Sequence, residues 1–260
     1  MRYEYGRMQD ESASEKLKRL TASQQQLIGT VIDHLLRPVL TVHSVTQPPF
    51  TTDFVRVFGE ALQLHHVLSD RHFSKENFEY VMVSAMTMTG QIAKHGPRGL
   101  AGYDVEIAGV RCSLKTQADK SIKRDSIHIS KYMELGKGEW TEETSLAGLR
   151  DRYLKHLEGY DRIFTLRYFR EPPDRETSAI RHEYELVEIP KSLLLEAASG
   201  TIAMQHDSKQ TPKPGYCRVY ATSGAEKFVL YFDGGTERKL QIKAIDKAFC
   251  IPIATWLFNA

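Results

Sequence analysis

Cysteine is scarce in this sequence, and the cysteines present form no recognisable pattern. The 260 residues include three cysteines, Cys112, Cys217 and Cys250, and no two of them form a CxxC pair. A zinc knuckle or a framework of disulfide bonds needs more cysteines at shorter spacings, so neither is indicated. This cysteine usage is typical of a reducing compartment, and we expect a cytoplasmic protein.

Long hydrophobic runs are missing as well. No apolar run reaches the length of about 18 residues that a membrane-spanning helix needs. The opening segment, MRYEYGRMQDESASEK, lacks the apolar centre of a secretion signal. We therefore expect a soluble protein that makes no contact with a membrane.

Neither sign of charge dominates the chain. The 35 lysines and arginines nearly balance the 33 aspartates and glutamates, leaving a formal net charge of +2. A protein that binds nucleic acid through overall positive charge would be more basic, so any DNA-binding surface here must be local. The phosphate loops GxxxxGK[ST] and GxGxxG are also absent, which argues against chemistry driven by nucleotide hydrolysis.

Helical patterns fill most of residues 1–100. Apolar residues at helical spacing predict helices in SQQQLIGTVIDHLL, DFVRVFGEALQLHHVL and SKENFEYVMVSAMTM. Ser74 is placed to cap the third helix, and His65 is expected on the core side of the second. The residues expected on the buried faces of the first and third helices are Leu27, Ile28, Val31, Ile32 and Leu35, and Phe78, Val81, Met82, Ala85 and Met88.

Strand patterns dominate residues 101–260. Short runs rich in β-branched and aromatic residues recur there, and helices are expected only in SLAGLRDRYLKHLE and KSLLLEAA. Helices followed by a hairpin and then by mixed elements predict an α/β fold, with helices flanking one central mixed β-sheet. No convincing linker interrupts the chain, so we predict a single domain over 1–260.

The segment GYDVEIAGVRCSLKTQ, residues 102–117, predicts a β-hairpin with a two-residue turn at 108–109. The pairs that this register sets are Ile107–Val110, Glu106–Arg111, Val105–Cys112 and Asp104–Ser113. Because side chains alternate along a strand, polar groups gather on one face while the other face is apolar. The polar face carries Asp104, Glu106, Arg111, Ser113 and Lys115, and Gln117 continues it.

The polar face of this hairpin suits magnesium-dependent hydrolysis of a phosphodiester. Such a reaction needs a carboxylate that holds a divalent ion, and it gains from a lysine close to that ion. Asp104 and Lys115 have the spacing of the first acid and the lysine in the PD-(D/E)xK nuclease pattern. The alternative is an ordinary hairpin whose charges face water.

Two features depart from that pattern, since no proline precedes Asp104 and Ser113 stands where the second acid is expected. A serine brings no negative charge to a metal ion, so another carboxylate is needed. Glu79, at the margin of the third helix's apolar stripe, is the first candidate, and a solvated helix position is its alternative. Glu106 is the second candidate.

Histidines and basic residues provide further candidates. LHHVLSDRHFSKENF contains His65, His66, His72 and Asn77, but no zinc or hairpin context supports a histidine–asparagine–histidine nuclease. FDGGTERKLQIK is consistent with either a hairpin turn followed by an edge strand or a loop that approaches DNA. The basic residues predicted to contact DNA here and in two other loops are Lys131, Lys137, Lys209, Lys213, Arg238 and Lys239.

Several longer segments are similar to the SmaI-like family of type II restriction endonucleases. They are SKYMELGKGEW, YDRIFTLRYF, VEIPKSLLLEA, SKQTPKPGY and LYFDGGTERKLQIK, in the family's order, and the 102–117 hairpin resembles that family too. The resemblance implies a PD-(D/E)xK fold, a requirement for Mg²⁺, and cleavage of duplex CCCGGG at its centre to leave blunt ends. It carries Asp104 and Lys115 over as motif residues.

A palindromic target implies a two-fold dimer with one active site per DNA strand. A restriction enzyme also implies a cognate DNA methyltransferase that protects the host. Our hypothesis is a homodimeric enzyme in which Asp104, Glu79 and the Leu114 carbonyl hold Mg²⁺, while Lys115 acts at the scissile phosphate. The alternatives are a repair or junction nuclease of the same fold, and a DNA-binding module that lost its chemistry when serine took the acid's place.

Overall fold

The computed structural model describes residues 12–45, 48–97, 102–119, 122–170 and 180–259. In these ranges the chain forms six α-helices and twelve β-strands arranged as two sheets. The helices are α1 (Ala13–Lys18), α2 (Ala22–Leu35), α3 (Thr52–Leu68), α4 (Lys75–Met88), α5 (Glu143–Leu157) and α6 (Lys191–Leu195).

The strands begin within the helical first part of the chain. They are β1 (Leu40–His43), β2 (Ala93–His95), β3 (Val105–Ile107), β4 (Val110–Gln117), β5 (Ser126–Glu134), β6 (Arg162–Arg170), β7 (Arg181–Ile189), β8 (Thr201–Met204), β9 (Gly215–Tyr220), β10 (Glu226–Phe232), β11 (Lys239–Asp246) and β12 (Ile251–Asn259).

The larger sheet has the order β1-β12-β7-β6-β4-β3-β2. Only β4 and β6 pair in parallel within it, and the chain between them forms β5 and α5. The predicted α/β fold and mixed sheet are therefore present. A second, antiparallel sheet with the order β5-β11-β10-β9-β8 was not predicted. Strand periodicity shows which segments are extended but not which of them pair, so it gave no reason to divide the strands between two sheets.

Helices α3 and α4 cover one face of the larger sheet with aromatic side chains. Phe58 of α3 stacks on Trp256 of β12 with 5.0 Å between ring centroids, and the Trp256 indole N–H donates to the Val55 carbonyl at 2.8 Å. A Cβ atom on Gly59 would lie 2.6 Å from the Trp256 ring, so only glycine allows α3 to approach β12 this closely. This packing fixes the position of α3 against the sheet.

The predicted helices are present, but three details of their buried faces differ. The Ser74 hydroxyl caps α4 by accepting from the Asn77 N–H, as predicted, yet Met88 is 74% exposed because it lies in the last turn beyond the sheet. In α3, His66 is buried and His65 is only half-buried. Helix α2 buries no residue at all, and its apolar stripe stays partly or largely exposed.

The smaller sheet and α5 pack on the opposite face of the larger sheet. Arg167 of β6 is fully buried between the sheets and donates to Glu185 of β7 at 2.6 Å and to Gln117 of β4 at 3.1 Å. It also donates to the carbonyls of three residues at the start of β5, namely Lys123, Arg124 and Ser126. One guanidinium thus joins the two sheets.

Two buried histidines lie between α3 and the larger sheet. The rings of His66 and His182 have centroids 3.7 Å apart, and each ring is hydrogen-bonded to a tyrosine hydroxyl, Tyr184 at 2.8 Å and Tyr168 at 2.9 Å. Burial lowers the pKa of His66 to about 3 and that of His182 to about 4. These values include smaller effects: His182 helps to lower the pKa of His66, Arg170 and His65 help to lower both pKa values, and Asp70 raises that of His182. Both imidazoles are therefore neutral in the folded protein.

The folded protein is expected to lose stability as the pH falls below 6.5, the ordinary pKa of a histidine. Between that pH and the lowered pKa values, the unfolded chain binds protons that the folded chain does not. At pH 5 each histidine should cost about 2 kcal/mol of unfolding free energy, a cost that is absent above pH 7.

Urea unfolding at a series of pH values measures this effect. The slope of the unfolding free energy against pH should be smaller by about one proton in His66→Gln and in His182→Gln. An exposed histidine replaced in the same way, His206→Gln, is the control and should leave the slope unchanged. Equal slopes in all three variants and the wild type would contradict the prediction.

No helix in the described ranges is both long enough and apolar enough to span a membrane.

Candidate active site

The hairpin of β3 and β4 has the predicted register. Val105 pairs with Cys112, Glu106 with Arg111 and Ile107 with Val110. Ala108 and Gly109 both have positive φ angles, 49° and 81°, as a type I′ turn requires. The turn therefore sets the register of these three pairs. The fourth predicted pair, Asp104–Ser113, is not part of the strand pairing, and the two residues meet through their side chains instead.

Asp104 lies immediately before β3 and is held by β4. Its backbone N–H donates to the Cys112 carbonyl at 3.0 Å, which extends the pairing by one residue. Its side-chain Oδ2 accepts from the Leu114 N–H at 2.6 Å and from the Ser113 hydroxyl at 3.2 Å. One carboxylate oxygen is thus fixed by the hairpin, while the other, Oδ1, points to α4.

Helix α4 brings two charged side chains to Asp104. Lys75 and Glu79 are four residues apart, so they share one face of the helix, and α4 packs against β3 and β4. The Lys75 ammonium lies 2.7 Å from Asp104 Oδ1 and 2.9 Å from Glu79 Oε1. The predicted proximity of Glu79 and Asp104 is present in the structure. Lys75 was not among the predicted site residues, although its i,i+4 spacing from Glu79 indicates that the two side chains share one helix face.

Lys115 projects from β4 into the same region. Its ammonium lies 5.7 Å from the centroid of the Tyr132 ring, a cation–π contact that holds the side chain in place. Burial lowers the pKa of Lys115, and the charge of Asp104 offsets part of that effect. Burial alone would raise the pKa of Asp104, but Lys115, Lys75 and the Leu114 N–H together hold it below its usual value.

A cavity of about 600 Å³ opens beside these groups. Lys75 and Lys115 line one side, and β5 lines the other with Lys131 and Tyr132. His156 of α5 completes the wall, and burial together with the Lys115 charge lowers its pKa. No sequence pattern pointed to Tyr132 or His156, because their proximity to Lys115 depends on how the two sheets pack.

The other polar residues of the hairpin lie apart from this group. Glu106 forms an ion pair with Lys94 of β2 at 3.0 Å, whereas Asp104 Oδ1 and Glu79 share the Lys75 ammonium. The Arg111 side chain donates to Asp161 at 2.8 Å and forms its ion pair there, although Glu106 is its backbone partner across the hairpin. The Gln117 side chain accepts from buried Arg167 and therefore belongs to the packing between the sheets.

The donor set suits a hard cation. A single ammonium nitrogen contacts both Asp104 and Glu79, so one cation position is within reach of both carboxylates. Because the Leu114 N–H points at Asp104, and the N–H and C=O of one strand residue point to the same side, the Leu114 carbonyl faces this region too. Across the described ranges, no group of three or more histidine, cysteine or acidic side chains is placed to hold a metal ion. Two carboxylates and a carbonyl fit Mg²⁺, which usually retains several water ligands.

The six basic residues predicted to contact DNA lie around one end of the smaller sheet. Arg238 donates to the carbonyls of Lys137 and Gly138, and Trp140 donates to the carbonyl of Lys213 at 2.7 Å. These bonds link three loops, which precede α5, β9 and β11. Lys209, in the loop before β9, is exposed. Lys131 pairs with Glu134, and Lys239 with Glu237. Strand β11, which begins at Lys239, lies between β5 and β10 in the smaller sheet. The alternative that FDGGTERKLQIK leads into an edge strand is therefore wrong. The residue pattern of one strand does not show which strands pair with it.

Comparison with known proteins gives a consistent result over most of the chain. The model of the SmaI family, described as type II site-specific deoxyribonuclease, matches residues 13–258. The type II restriction enzyme SmaI of Serratia marcescens is 45% identical over 210 residues, which cover 80% of this chain and 81% of that protein. No solved structure matches the chain.

Proposed function

The chain belongs to the SmaI family of type II site-specific deoxyribonucleases, and we propose that it cuts a palindromic, G·C-rich duplex site with Mg²⁺ as cofactor. It is a restriction endonuclease. By resemblance the proposed target is CCCGGG, cut at its centre to leave blunt ends. The observation that carries the proposal is that Asp104 and Glu79 meet at one ammonium, that of Lys75, and that Lys75 and Lys115 line the same cavity.

In the proposed site Asp104, Glu79 and the Leu114 carbonyl would hold the ion. A bound Mg²⁺ ion lowers the pKa of a water molecule and stabilises negative charge on the phosphate. Ser113, in the position of the family pattern's second acid, acts through Asp104: its hydroxyl and the Leu114 N–H hold Oδ2, so that Oδ1 faces α4 and the proposed cation position. Glu79 replaces the missing acid from α4.

Lys115 is proposed to act at the scissile phosphate. Its lowered pKa reflects burial, and a buried ammonium gains most from a negatively charged partner. In the cavity that partner would be the phosphate or the water that attacks it. The cation–π contact with Tyr132 supports a fixed position for the ammonium, which positioning of this kind requires.

The proposed DNA-binding surface continues from the cavity along the smaller sheet. Lys131 lines the cavity, and β5 leads from it to the linked loops that carry Lys137, Lys209, Lys213, Arg238 and Lys239. Basic residues on adjacent loops suit phosphate contacts, and arginine or lysine suits the O6 and N7 atoms of guanine. The guanidinium of Arg238 already binds two carbonyls, so its proposed part includes holding the loop.

The biological setting follows from a palindromic target. We propose a two-fold homodimer with one site per strand, a cognate methyltransferase as genetic partner, and a cytoplasmic location. We also propose that 1–260 is one nuclease domain with a PD-(D/E)xK core, because buried Arg167 ties the smaller sheet to the larger.

Digestion of a sequenced plasmid with and without Mg²⁺ tests the proposed function. The expected result is Mg²⁺-dependent cutting at one palindromic site with blunt ends, mapped by sequencing the ends. Nicking that follows branches or lesions would instead indicate a repair or junction nuclease. Binding without any cutting would indicate an inactive DNA-binding module, the alternative that Ser113 favours.

A further inference from the structure

The Lys75 ammonium lies between the two carboxylates of the proposed metal site, and the PD-(D/E)xK pattern includes no residue at this position. Lys75 is the first residue of α4, and its ammonium bridges Asp104 Oδ1 and Glu79 Oε1 at 2.7 and 2.9 Å. These are the same two oxygens that the proposed cofactor needs. The other oxygen of Asp104 is already bound by the hairpin. A cation that binds Asp104 Oδ1 and Glu79 Oε1 together would therefore compete with the ammonium for the same position.

The charges around this point are balanced without a metal ion. Asp104 and Glu79 contribute two negative charges, and Lys75 and Lys115 contribute two positive charges. The Lys75 ammonium contacts both carboxylates, so each of the two negative charges already has a cationic partner. A divalent ion added beside both lysines would face two positive charges at short range, a strong repulsion in a partly buried site.

We propose that Lys75 holds the cation position in the metal-free enzyme and that the divalent ion must displace it to bind. This inference rests on the proposed metal site at Asp104 and Glu79. Lys75 acts as a positioning residue, because its ammonium holds the two carboxylates together and offsets their negative charge until the ion binds. By competing for the same oxygens, it also weakens binding of the ion.

Lys75 is better suited to this exchange than Lys115. In the described part of the chain, Lys115 forms no ion pair with either carboxylate, and it lies against the Tyr132 ring. The Lys75 side chain is 39% exposed and begins at the end of a helix, so it can turn away without disturbing the core. After displacement its ammonium remains in the cavity that Lys131 also lines, where a DNA phosphate is a suitable partner.

Calorimetric titration of the full chain with Mg²⁺, without DNA, tests this proposal directly. Lys75→Met removes the competing charge, and Lys75→Gln removes it while keeping a hydrogen-bonding group. Both variants are expected to bind Mg²⁺ at least about tenfold more tightly than the wild type, which corresponds to about 1.4 kcal/mol. In chelator both should melt at a lower temperature than the wild type, and Mg²⁺ should raise their melting temperatures more.

The matched control is Lys94→Met. Lys94 also pairs with a carboxylate of this hairpin, Glu106 at 3.0 Å, but it is exposed and its partner is not one of the two proposed metal-binding carboxylates. This variant should bind Mg²⁺ as the wild type does. Asp104→Asn should abolish binding, both alone and combined with Lys75→Gln.

The results separate this inference from the proposed function. If Asp104→Asn abolishes binding but both Lys75 variants bind Mg²⁺ no more tightly than the wild type, the role of Lys75 is overturned and the metal site stands. If neither the wild type nor the Lys75 variants bind Mg²⁺, or if Asp104→Asn binds normally, the proposed metal site and the role of Lys75 both fail.

Discussion

A variant with asparagine in place of Asp104 is expected to cut duplex DNA on the order of 10³-fold more slowly than the wild type. Asparagine has nearly the same shape, and its carbonyl oxygen can still accept from the Leu114 N–H. It carries no negative charge, so it binds a divalent ion poorly and no longer balances the positive charges of Lys75 and Lys115. The fold and the DNA-binding surface should both survive the change.

Two measurements on the same preparation check this expectation. Initial rates of plasmid cleavage at saturating Mg²⁺ should fall, while the affinity for a labelled duplex in chelator should stay within about threefold of wild type, a difference below 1 kcal/mol. The matched control is Asp161→Asn, because Asp161 is also paired with a cation, Arg111, but that cation does not line the cavity, whereas Lys75, the partner of Asp104, does. A cleavage rate for Asp104→Asn close to that of the control would remove Asp104 from the site.

The hairpin could be predicted from sequence because its geometry is local. Turn chemistry at 108–109 and alternation along two short strands determine which side chains are opposite each other, and neither depends on the rest of the fold. Glu79 was within reach of the same reasoning, since a helical wheel shows which positions of α4 lie near its apolar stripe. These two local arguments together located both carboxylates.

The remaining parts of the site depend on contacts between distant segments. Tyr132 and His156 meet Lys115 only because a second sheet and α5 pack over the larger sheet, and no periodicity encodes that packing. The stripe on α2 shows the converse: the pattern predicted the helix correctly, but amphipathicity alone does not show what covers the apolar side. Pairing and packing are properties of the whole chain, so a single sequence pattern constrains them weakly.

The junction between the sheets should carry a large part of the stability, and Arg167→Met is expected to lower the unfolding free energy by about 3 kcal/mol or more. Methionine fills much of the volume but donates no hydrogen bonds. The carbonyls of Lys123, Arg124 and Ser126 would lose a buried donor, and Glu185 would lose one of its charged partners while keeping Lys247. The unfolding free energy of Arg167→Lys should lie between those of the wild type and Arg167→Met, because one ammonium cannot reach all of these acceptors.

Urea unfolding measures the difference in unfolding free energy. If the dependence on urea concentration is equally steep for all variants, the shift of the transition midpoint gives that difference. The control is Arg111→Met, which removes an arginine that also binds a carboxylate through two nitrogens but does so at the surface, where water replaces the partner. No resolvable change is expected for that variant. An equal midpoint for Arg167→Met would show that the buried network contributes no net stability.

The same variant links stability to the site. Arg167 holds the residues that lead into β5, and β5 carries Lys131 and Tyr132 into the cavity opposite Lys115. If β5 shifts when its anchor is lost, folded Arg167→Met should cleave DNA more slowly at a temperature well below its melting point, while Arg111→Met should not. A normal rate in the folded Arg167→Met protein would mean that packing of the sheets alone, without the guanidinium, is enough to keep Tyr132 against Lys115.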